Sequence, residues 1–98
     1  PGEKSLHIGR YGFLRLRYLK QQRRVLYISL KTTCGLNEHL ADIDRQALEM
    51  VDLLTAQIAK AEGVTKDMKG RDQMAWVGAM NNIRNRAEEI VLKEIVYS

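Results

Sequence analysis

Ninety-eight residues, 45% of them apolar, make one domain with one modest core, and no run of about 18 apolar residues is present to cross a bilayer. A single cysteine excludes an internal disulfide and fits a reducing, cytoplasmic setting. The net charge of +4 hides an asymmetry: residues 1–31 hold eight Lys and Arg against the one acid Glu3, giving +7, while residues 32–98 hold eight basic and eleven acidic side chains, giving −3.

The chain opens on Pro1-Gly2 with no charged-then-apolar leader, so its start reads as a boundary with a true N-terminal segment missing. Residues 1–9 show no clear period and are expected to form a lead-in arm, extended or strand-like around Leu6 and Ile8. From Arg10 the pattern becomes helical: Tyr11, Leu14 and Tyr18 share one face, while Arg10, Arg17 and Lys20 stand away from it. Gly12 weakens the first turn. The run from Lys20 to Arg24 has no apolar residue and spans a break, after which Val25, Leu26, Ile28 and Leu30 resume a helix ending near Cys34-Gly35. Residues 10–35 thus read as two short basic helices, with one kinked helix from Arg10 to Thr33 as the competing reading. Cys34 reads as a small packing residue rather than a reactive thiol.

Residues 36–98 carry two long amphipathic segments. In the first, Leu40, Ile43, Ala47, Met50, Leu54, Ile58 and Ala61 recur at spacings of three and four, with Leu53 widening the seam. In the second, Trp76, Met80, Ile83, Ala87 and Ile90 keep the rhythm, and Val77, Val91 and Ile95 broaden it. Asn37 is expected to cap the first of these helices, with Glu38, Asp42 and Asp44 near its positive end. At the corner, Gly63 suits a helix end and Thr65 the next N-cap; one short helical turn follows before Gly70, and Arg71 or Asp72 opens the last helix. The fold class is therefore all-α: a long antiparallel helical hairpin with two short N-terminal helices packed on it, a small helical bundle in a single domain. Each long helix spans about 35 Å at 1.5 Å per residue, longer than a compact chain of this size, so a bare hairpin leaves stripe uncovered. The short helices can cover it, and a homodimer is the other means.

No phosphate loop, nucleophile elbow or paired-carboxylate motif is present, and no enzyme activity or cofactor is expected. His7 and His39 lack ligand partners at a metal-binding spacing. Glu88-Glu89 and Asp42/Asp44 read as solvated helix-face charges. Trp76 reads as a core anchor, and one of Asn81 and Asn82 as a buried polar group that fixes helix register, since Asn is a poor mid-helix residue. The strongest signal is basic: Arg10, Arg15, Arg17, Lys20, Arg23 and Arg24 fall within fifteen residues, interleaved with Tyr11, Tyr18 and Tyr27. Guanidinium groups so placed can contact phosphates while a helix lies against a duplex. The same residues could instead pair with Asp42, Glu49 and Asp52 on the third helix.

The words of the last helix are specific. The run from Asp72 to Ile90, closing with Glu94-Ile95-Val96-Tyr97, resembles the transposon-encoded TnpV family. So do Gly9-Arg10-Tyr11-Gly12 followed by Arg17-Tyr18-Leu19-Lys20, and Leu40-Ala41-Asp42-Ile43-Asp44 leading to the stretch Ala59 to Thr65. The resemblance implies a small accessory protein of a mobilisable or conjugative transposon, with excisionase-like binding of double-stranded DNA as its suggested role. The alternative partners are the element's recombinase or a host protein that handles nucleic acid.

Overall fold

The computed structural model describes residues 8–98, so most of the expected lead-in arm, with Leu6 and His7, lies outside the described residues. The elements are α1 (Arg10–Gln22), α2 (Arg24–Thr32), α3 (Leu36–Ala61), α4 (Lys66–Arg71) and α5 (Gln73–Val91), the last running into a π-helical turn, Leu92–Val96. The protein is all-α, and Arg23, at φ −132° and ψ 55°, separates α1 from α2 as two helices rather than one kinked one.

The helix ends follow from local chemistry. Gly63, at φ +72°, closes α3: its N–H reaches the Lys60 carbonyl and the Val64 N–H reaches that of Ala59, which satisfies carbonyls the helix leaves free. The α2 end repeats this arrangement with Cys34 in the left-handed position at φ 62°. Asp72 caps α5 by accepting the Ala75 N–H. Thr65 stands at the N-cap of α4 without a side-chain hydrogen bond, and Gly35 rather than Asn37 precedes α3, leaving Asn37 inside the first turn.

Tyr11, Ala47, Val51, Val91 and Val96 form the core, with Leu14, Ile43, Leu54, Leu92 and Ile95 packed against it. The C-terminal part of α5 and the π-turn thus lie on the middle of α3, while Arg86, earlier in α5, reaches Glu62 just past the α3 end. The buried line of α5 steps through Ile83, Ala87 and Val91 to Val96. That last step of five residues is the one a π-turn accommodates, and it keeps Val96 over the same neighbours.

Several burial expectations are corrected. The buried line of α3 is Leu40, Asp44, Ala47, Val51, Thr55 and Ala59, rotated from the expected seam so that Met50, Leu53 and Ala61 are exposed. The rotation follows from α1, which crosses α3 where Gly12 lets the backbones approach: a Cβ there would stand 2.6 Å from Ile8 Cγ2 and 3.0 Å from the Leu40 carbonyl. Asp44 is consequently no solvated charge but 2% exposed. Asn81 and Asn82 are both exposed, because the line through Ile83, Ala87 and Val91 turns them outward, and neither serves as a buried register-setting group. Trp76 is half-buried rather than a core anchor: α4 packs beside it, with the Lys69 ammonium 4.8 Å over its ring. Ile90, expected in the seam, is exposed.

Candidate nucleic-acid interface

The segment from Arg10 to Thr32 contains seven basic side chains and no acidic one. On α1, the buried positions Tyr11, Arg15 and Leu19 define the inner face, which leaves Arg10, Phe13, Arg17 and Lys20 in line along the outer one at spacings of three, four and three. Arg23 and Arg24 stand exposed at the break, and Lys31 is exposed near the end of α2. Lys20 and Lys31 lie over the same Tyr27 ring, 5.7 and 5.9 Å from its centroid, which joins the outer face of α1 to α2 as one basic surface.

Five of the cations on this surface, Arg17, Lys20, Arg23, Arg24 and Lys31, form no ion pair among the described residues. The acids of α3 that could have neutralised them are engaged elsewhere. Arg45 holds Asp42 at 2.8 Å and Glu49 at 3.2 Å along the same helix, and Asp52 faces Arg84 at 3.9 Å. Arg45 keeps the Asp42 carboxyl below its ordinary range, mainly through their hydrogen bond. Arg10 differs from its neighbours, since it pairs with Glu88, whose other oxygen accepts the Tyr11 hydroxyl at 3.2 Å. The hydrogen bond to Glu88 raises the Arg10 pKa, and burial followed by the Glu88 charge raises that of Tyr11.

Arg15 is removed from the candidate surface altogether. Only 5% exposed, it points inward and donates from Nη1 to the carbonyls of Val96 at 3.1 Å and Ser98 at 2.7 Å, and from Nε to His39 Nε2 at 3.2 Å. Burial lowers the pKa of both Arg15 and His39, and the neighbouring guanidinium lowers that of His39 further. The helical period that turns Arg17 outward turns Arg15 inward, so a count of basic residues alone misplaces it. Phe13 is the outer-face residue that the basic count passes over. It is 60% exposed between Arg10 and Arg17, and its spacing from those two is the signal that finds it.

The family model described as "Transposon-encoded protein TnpV" matches residues 1–96. The chain belongs to the TnpV family. No curated protein and no solved structure matches it. For a TnpV chain, association with a mobile element is thereby given. The described residues of this TnpV protein include no helix long and apolar enough to cross a membrane, and no group of three or more His, Cys, Asp and Glu side chains that could hold a metal ion.

Proposed function

We propose that this transposon-encoded protein is a cytoplasmic, DNA-binding accessory factor that shapes the ends of its element or regulates excision, acting by binding rather than by catalysis. The observation that carries the reading is the acid-free segment Arg10 to Thr32, with Arg17, Lys20, Arg23, Arg24 and Lys31 exposed on one surface. Cations left without carboxylate partners on a pair of helices suit the regular negative charge of a duplex. Arg17, Lys20, Arg23 and Arg24 take phosphate contacts, and Arg10 joins them only by giving up Glu88.

The test is fluorescence anisotropy with a labelled duplex from the element's end and an unrelated duplex, each across a salt series. Reversing Arg17, Lys20, Arg23 and Arg24 to Glu should weaken binding by decades and flatten the slope of log affinity against log salt by about 0.9 for each phosphate no longer neutralised. Equal binding by the reversed protein overturns the assignment.

A second reading rests on α2, where Val25 is 85% exposed and Ile28 is also exposed beside the basic break. Apolar side chains flanked by cations suit a protein partner such as the element's recombinase. A pull-down of that recombinase that resists nuclease and fails with Val25→Asp/Ile28→Asp would establish it.

A further inference from the structure

The protein is flat and open for its mass. Its extents are 55 × 35 × 18 Å, and its radius of gyration is 17.1 Å, against about 13 Å for a compact domain of this length. Surface area says the same: the chain exposes 7104 Å², whereas a monomer of 11.3 kDa is expected to expose about 5,700 Å². The excess of roughly 1,400 Å² exceeds the roughly 800 Å² per partner that a stable interface buries.

A specific part of this surface is built to be covered. On the side of α3 away from its buried line, Gln46, Met50, Leu53 and Gln57 follow one another at steps of four, three and four, all exposed, with Leu53 at 52%. That is the spacing of a coiled-coil seam. Gln46, Glu49, Met50, Leu53 and Ile95 border a shallow groove there, so the π-turn adds an apolar side chain beside the strip of Met50 and Leu53, with the Arg45-paired Glu49 at its edge.

We infer that a second copy of this chain covers the strip, with α3 packed antiparallel against α3 of the other protomer about a two-fold axis near Val51 and Asp52. The order polar, apolar, apolar, polar reads the same in both directions. An antiparallel copy therefore sets Met50 of each protomer against Leu53 of the other, and Gln46 against Gln57, as an isologous interface requires. The same axis brings Asp42 of each protomer, exposed and held on its own helix by Arg45, towards the exposed Lys60 of the other. A parallel copy would align Asp42 with Asp42 and Lys60 with Lys60. The inference stands apart from the DNA-binding reading, since it concerns mass and register in the absence of DNA.

Multi-angle light scattering on the purified chain at tens of micromolar should give twice the chain mass, and Leu53→Glu should give the single mass with an unchanged circular dichroism spectrum. Register is tested in a Cys34→Ser background with a short bifunctional thiol reagent. Across an antiparallel pair, positions 53 are offset along the axis by about 4.5 Å and positions 57 by about 16 Å at 1.5 Å per residue. Leu53→Cys should therefore cross-link between protomers and Gln57→Cys should not. A single-mass wild type, a dimer undisturbed by Leu53→Glu, or cross-linking equally strong at both positions would each overturn the inference.

Discussion

The Asp44 carboxylate accepts the backbone N–H of Gly12 across the interface between α1 and α3, at 3.0 Å. Gly12 lies in the first turn of α1, where N–H groups have no partner within the helix, and Gly9 at the N-cap has no side chain to supply one. A buried anion from another helix thus does the work of a cap and meets the positive end of the helix dipole. Asp44→Ala should cost about 1–3 kcal/mol, the penalty of leaving a buried donor unmet. Gly12→Ala should cost a similar amount, because its methyl group would press on Ile8 and the Leu40 carbonyl. Urea denaturation measures both.

Arg15 and Arg17 should part company in mutagenesis despite standing two residues apart. Arg15→Ala strands the buried Val96 carbonyl and should destabilise by about 1–3 kcal/mol. Hydrogen exchange should show residues 92–98 losing protection first. Arg17→Ala touches no described partner and should stay within about 0.5 kcal/mol of wild type in stability.

Acid should loosen the same junction. His39 accepts from Arg15, so it must be neutral at Nε2, and burial together with the Arg15 charge holds its pKa below the ordinary value. The Asp42 charge acts the other way without reversing the shift. The folded protein therefore binds fewer protons than the unfolded chain in this range. This contribution is complete above the unfolded His value of about 6.5 and is lost progressively as pH falls below it, down to the lowered folded value. The urea midpoint should drop between pH 7.5 and pH 5, and His39→Asn should flatten the drop.

Cys34 offers the reverse case, a residue the fold tolerates at a cost. Its φ of 62° is left-handed, a conformation in which a Cβ is strained and Gly is not. Cys34→Gly should stabilise the protein by about 0.5–1 kcal/mol, visible as a higher thermal midpoint with unchanged helicity.

Periodicity and punctuation carried the fold a long way. The break near Arg23, the corner at Gly63, the opening of the last helix at Arg71 or Asp72 and two long helices are all local events, written within a few residues of where they act. What local pattern could not supply was the angle at which each helix is viewed by its neighbours. The approach of α1 at Gly12 draws Asp44 into the buried line of α3, a line that also takes in Thr55 and leaves Met50 and Leu53 out, although hydrophobicity alone ranks them the other way. The same limit applies to the candidate site. Arg17, Lys20, Arg23 and Arg24 were legible as exposed charge, whereas Arg15 depended on carbonyls more than eighty residues distant. Asn81 and Asn82 invite a structural reason for two mid-helix asparagines, and exposure is sufficient for both.

The hold of Arg15 on the Val96 carbonyl also sets an order of events during synthesis. The two groups are 81 residues apart, so at roughly 5–20 residues per second the ribosome makes α1 about 4–16 s before its buried guanidinium can meet its acceptor. Over that interval α3, made well before, can already cover Tyr11, but the Arg15 guanidinium has only His39 to meet. Synthesis of residues 92–98 is then the step that gives the buried guanidinium its two carbonyl acceptors.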